Sequence, residues 1–138
     1  MDPLISPQVN TVLQITTLIL LLLSIGIKRL RKLALHGVTM LGAVILNFSS
    51  FVLIMLPSLL RTEIIRTQPA HTVSIATLVH SSIGLIALIL GVWLVASWHL
   101  RSSFADCFRN KRLMRLTTVL WLIALMIGFL LYYILYAY

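Results

Sequence analysis

Leu18-Ile19-Leu20-Leu21-Leu22-Leu23 is an unbroken aliphatic block, and five residues further on the chain turns abruptly basic at Lys28-Arg29-Leu30-Arg31-Lys32. The block belongs to an uncharged stretch from about Val9 to Ile27. A membrane-spanning helix needs roughly 20 apolar residues, because each advances about 1.5 Å against a hydrocarbon core of about 30 Å. Three further stretches meet the same condition, from about Leu33 to Leu60, His71 to Trp98 and Leu116 to Tyr138. None of the four carries Asp, Glu, Lys or Arg in its interior. A transmembrane barrel would alternate with period two in short segments, and runs such as Leu85-Ile86-Ala87-Leu88-Ile89-Leu90 do not. The expected architecture is therefore all-α: one membrane domain over residues 1–138, built as a four-transmembrane-helix bundle.

Composition agrees. Of 138 residues, 60% are apolar and 10% charged, and the mean hydropathy is +1.06, leaving too little polar surface for a water-soluble domain. A cytosolic enzyme and a disordered tail are excluded, and a nucleic-acid module is disfavoured despite a net charge of +8. Met1 to Asn10 contains no basic leader region, so the first span does not read as a cleaved signal. Ser6-Pro7 reads as an N-cap followed by proline in the first helical turn.

The basic residues explain the charge through topology. The connection after the first span has Lys28, Arg29, Arg31 and Lys32, and the one after the third has Arg101, Arg109, Lys111, Arg112 and Arg115. The remaining connection has only Arg61 and Arg66, with Glu63 between them. By the positive-inside rule both termini lie outside and loops 28–32 and 101–115 lie in the cytoplasm of a cell-membrane protein. Phe104, Cys107 and Phe108, spaced i, i+3, i+4 among basic residues, suit a short interfacial helix over 102–113. With a single cysteine there is no disulfide framework. Lys28-Arg29-Leu30-Arg31-Lys32-Leu33 echoes Lys111-Arg112-Leu113-Met114-Arg115-Leu116, a pattern that two hairpin repeats or any two positive-inside loops would produce.

No intramembrane carboxylate, phosphate loop or hydrolytic triad is present, so an electron carrier or assembly factor fits better than an enzyme. The chemistry-bearing residues that remain are His36, His71, His80 and His99. If the second and third spans form a hairpin, His36 and His99 lie level near the cytoplasmic face and His71 sits at the outer mouth. His80, nine residues beyond His71, then lies roughly 13 Å deep. His80, Gly84, Ala87 and Gly91 form one stripe whose small residues admit another helix or a flat macrocycle. His36, Met40, Ala43, Asn47 and Ser50 form a second stripe. Buried imidazoles can ligate haem iron, which makes His36 and His80 the leading ligands, with His99 next and a b-type haem as cofactor. Copper held by imidazole and the Met40 thioether is the alternative. In the cofactor-free reading, His80 simply bonds Ser49, Ser50 or a backbone carbonyl and joins two helices. Because the first and last spans have no histidine, a bis-histidine haem must bridge the second and third spans or form across a homodimer.

Three runs together resemble a known family: Arg31-Lys32-Leu33-Ala34-Leu35-His36-Gly37-Val38-Thr39-Met40, then Val79-His80-Ser81-Ser82-Ile83-Gly84-Leu85, then Arg115 to Tyr138 with its terminal tyrosines. Residues 28–138 are similar to the small four-helix CtaM-like membrane family, linked to maturation of haem-copper terminal oxidases, and more distantly to half of a haem A synthase. The resemblance implies a respiratory-chain accessory role, with His36 and His80 at the family's histidine positions. The basic stretch before the last span has Lys111 and Arg112 where relatives tend to carry histidine. The lipid bilayer is a partner by hydropathy; a terminal oxidase or other respiratory subunits follow from the resemblance, and the reading as a cytochrome b-like carrier adds quinone, for which Trp93, Trp98 and the tyrosine cluster are the available contacts. The competing class is a cofactor-free structural subunit of a membrane complex, supported by the small-residue contact Ala87-x-x-x-Gly91.

Overall fold

The computed structural model describes residues 7–98 and 109–137. Helix α1 runs Pro7–Arg29, and α2 runs Leu33–Ser50, continuing through a π-helical segment, Phe51–Met55, into α3, Leu56–Arg61. A short α4, Glu63–Thr67, precedes α5, Thr72–Trp98. The last span is α6, Lys111–Tyr132, which ends in a second π-helical segment, Tyr133–Ala137. There is no strand among the described residues. Four helical stretches are long and apolar enough to cross a membrane: Pro7–Arg29, Leu33–Arg61, Thr72–Ser97 and Lys111–Tyr136. The all-α, four-span reading holds. The last span starts five residues before the expected Leu116, because Lys111, Arg112 and Arg115 join its first turns, where long basic side chains can reach back to the interface. Pro7 opens α1 as expected, while Ser6 and most of the proposed interfacial helix, including Phe104 to Phe108, lie outside the described residues.

Local sequence explains the elements. A hydroxyl in hydrocarbon has no water to bond, so the helices satisfy theirs internally. Thr17, Thr39, Thr117 and Thr118 each donate to the carbonyl four residues back. At Pro57 the missing N–H and the ring's clash with the preceding turn forbid a regular ladder. The helix responds by widening, and the Leu56 amide reaches back five residues to the Phe51 carbonyl. Between α1 and α2 the chain reverses in three residues, with Arg31 at φ 60°, the left-handed position that ends many helices. His71 opens α5, where its Nδ1 accepts the Val73 amide.

Packing is tightest within two hairpins, α1 on α2 and α5 on α6, and contacts of α2 with α5 and α1 with α6 close the ring. Helices α2 and α6 therefore face each other across a diagonal. Leu21, Ala43, Val44, Ala87, Trp121 and Leu125 form the central core, drawn from all four spans. The stripe at residues 10, 14, 17, 21 and 24 of α1 packs on α2 and is largely polar: the Gln14 amide donates to Ser50 Oγ at 2.9 Å, and Ser50 donates to Asn10 Oδ1 at 2.5 Å. The opposite faces are apolar and exposed, including Leu22 and Leu23, Ile45 and Phe48, Ile89 and Trp93, and Met126 and Leu130. That inside-out distribution belongs in lipid.

Candidate cofactor site

His36 is the fourth residue of α2 and is almost fully buried against α1. Its Nδ1 lies 3.0 Å from the Ser24 carbonyl and 2.6 Å from Ser24 Oγ, and Ser24 Oγ donates to the His36 carbonyl at 3.2 Å. The 2.6 Å contact with Ser24 Oγ suits either ring tautomer, and the carbonyl contact suits the one in which Nδ1 carries the proton and the Nε2 lone pair is left over. That is the tautomer a metal-ligating imidazole needs, with its second nitrogen tied to a carbonyl that holds the ring still.

The same His36 lines a cavity of about 590 Å³ at the end of the bundle where loop 28–32 lies. A volume between about 300 and 1,000 Å³ is typical of small-molecule and cofactor sites. All four spans contribute to its walls. Leu21, Gly37, Gly91 and Leu94 are among its apolar lining, and Met40 and Met114 bring thioethers to it. Lys28, Arg29 and Arg115 place three cations around it. Met114 is the fourth residue of α6, as His36 is of α2, and the two helices both start from this end. The residues therefore stand at similar depth on diagonally opposed helices.

His80 is elsewhere. It is partly buried, its Nδ1 donates to the Ala124 carbonyl of α6 at 2.8 Å, and its ring fills the space beside Gly128. It lies eleven residues from Gly91, the nearest residue of α5 that lines the cavity, which is about 16 Å along the helix. The structure does not bring His36 and His80 to one ion, and no group of three or more His, Cys, Asp and Glu side chains converges among the described residues. His99 lies outside the described residues. Met40, one turn from His36, does reach the same cavity.

The small-residue stripe of α5 receives helices. Gly84 faces Ala124, while Gly91 faces Val44 and Trp121. Of the partners expected for His80 in the cofactor-free reading, the one it takes is a backbone carbonyl, that of Ala124, while Ser50 bonds Asn10 and Gln14. Sequence reasoning passed over Ser24, Met114 and Gly128. The spacing of Ser24 with Gln14, Thr17 and Leu21 was a readable signal, and so was Ala124-x-x-x-Gly128. Nothing in the sequence marked Met114. The buried indole of Trp121 leaves its Nε1 without a hydrogen-bond partner in the core. Comparison with protein-family models, curated proteins and solved structures returns no match for this chain.

Proposed function

We propose that this chain is an integral membrane haem protein of the respiratory chain, holding a b-type haem or passing it on during maturation of a terminal oxidase, with His36 as its iron ligand. One observation carries the reading: one cavity of cofactor size unites a buried imidazole bonded through Nδ1, two thioethers, apolar walls and three cations. The likeness of residues 28–138 to the CtaM-like family supports the respiratory assignment. The positive-inside pattern puts this end of the bundle, and so the site, at the cytoplasmic leaflet of the cell membrane.

A haem bound here supplies one-electron chemistry. The chain's own part is to present the His36 Nε2 lone pair, to exclude water with aliphatic walls and to neutralise carboxylates with Lys28, Arg29 and Arg115. Soft thioethers beside an imidazole also suit copper(I), so metal content is part of the test. The experiment is an oxidised and a dithionite-reduced absorption spectrum of detergent-purified protein, with metal analysis on the same sample. The expected result is a Soret shift with resolved α and β bands, lost in His36→Ala and kept in His71→Ala. Stoichiometric copper with a featureless visible spectrum would replace haem by copper delivery.

The second reading is a cofactor-free subunit of a larger complex. It draws on the use of both His36 and His80 as interhelical fasteners through Nδ1. A colourless, metal-free protein that stays bound to larger subunits, and resists reconstitution with haem, is the outcome that favours it.

A further inference from the structure

We infer that Met114 is the second axial ligand of the cavity, so that the site holds a metal-centred flat macrocycle between His36 Nε2 and the Met114 thioether. The inference rests on the haem reading above and adds to it the ligand on the far side of the ring. Three observations lead there. First, an iron in a macrocycle has two axial positions on opposite faces, so its ligands must approach from opposed walls. His36 and Met114 line one cavity from α2 and α6, which the ring order of the bundle places on a diagonal. Second, each is the fourth residue of a helix that begins at the basic end, which sets them at similar depth. Third, the other candidates are misplaced. Met40 follows His36 by four residues on the same helix, so it rises from the same wall as the imidazole. His80 meets α6 at Ala124 and Gly128, well beyond the cavity residues Met114 to Val119. Arg115, next to Met114, and Lys28 and Arg29 on the neighbouring α1 line the same cavity, where the carboxylates of such a ring would be neutralised.

A histidine–methionine pair differs measurably from a bis-histidine one. It raises the reduction potential and gives the ferric state a weak long-wavelength thioether-to-iron charge-transfer band. The test uses the full chain in detergent, reconstituted with haem and followed by absorption, electron paramagnetic resonance and redox titration. In the parent protein we expect a low-spin ferric spectrum with the thioether band. Met114→Leu, which keeps side-chain volume, should lose the band, turn high-spin and bind added cyanide more readily. Met114→His should restore the low-spin state at a lower midpoint potential, and Met40→Leu should leave the spectrum unchanged. Should Met114→Leu not fold, the downward shift in Met114→His decides the question alone. Retention of the band and of the low-spin state in Met114→Leu, or their loss in Met40→Leu instead, overturns the assignment of Met114. If His36→Ala still abolishes the Soret band in that case, the haem reading stands without it. Failure of the parent protein to take up haem removes both.

Discussion

The imidazole of His80 occupies the volume that any side chain at Gly128 would require: a Cβ built there falls 2.8 Å from His80 Cε1. Gly128→Ala should therefore push the ring aside and weaken its bond to the Ala124 carbonyl, with an expected loss of about 1–2 kcal/mol as overpacking and one interhelical hydrogen bond are combined. Because His80→Ala removes the obstacle, the double variant should be less destabilised than the sum of the two singles. A thermal or denaturant series in detergent on all four proteins measures that coupling, and strict additivity would sink the contact. Arg31 offers the opposite sign. Its φ of 60° costs an L side chain about 1–2 kcal/mol that glycine does not incur. Arg31→Gly should raise the midpoint of the same unfolding series by the equivalent of about 0.5–1 kcal/mol, after glycine's greater freedom in the unfolded chain is subtracted. An unchanged or lowered midpoint would mean that the turn is not held in that conformation.

At the scale of the element, Pro57 follows the widened turn Phe51–Met55 by two residues, and its missing N–H is a sufficient cause of the widening. Pro57→Ala should let the second span run as a regular α-helix, and the amides of residues 53–58 should then exchange more slowly with deuterated solvent. Unaltered exchange would assign the π-helical segment to packing. The polar stripe of α1 shows how a span without charges still acquires a defined face, since Gln14, Thr17 and Ser24 are all buried and Gln14 and Ser24 bond across to α2. In α5 the mark is confined to the first half, where Ser74 is fully buried. Beyond His80, Ser81 and Ser82 the helix is apolar on every side as far as Ser97, so its amphipathic pattern there is nearly blank, and small size is what turns Gly84, Ala87 and Gly91 inward. Those stripes of small and polar residues were readable in advance. Which helix would fill each was not, because His80 met the fourth span and not the second.

In the whole molecule the two hairpins meet at the central core, where Ala43 and Ala87 have no exposed surface. Enlarging either should separate the hairpins more than it disturbs their interiors. Ala87→Leu is expected to lose about 1–3 kcal/mol by overpacking. If the cavity is assembled only when the hairpins dock, haem uptake should fall in parallel. Equal haem binding by Ala87→Leu at lowered stability would show that the site belongs to one hairpin. Sidedness is checkable at the same scale. In a Cys107→Ser background, a cysteine at Leu30 should be shielded from a membrane-impermeant thiol reagent in intact cells, and one at Thr62 should react. The reverse pattern would invert the topology and move the site to the other leaflet.

Length, hydropathy and charge placement were enough to specify four membrane helices, their approximate ends and the two basic connections. Those features depend on one-dimensional quantities, the thickness of a bilayer and the exclusion of charge from it. The pairing of side chains was settled only in three dimensions. In lipid both faces of a helix can be apolar, so periodicity does not name the neighbour, and hydrogen-bond partners such as Ser24 for His36 or the Ala124 carbonyl for His80 follow from how the hairpins pack. His36 and Met40 stood on one helix face in the sequence, but the cavity they share with Met114 and three cations exists only because four helix ends converge there.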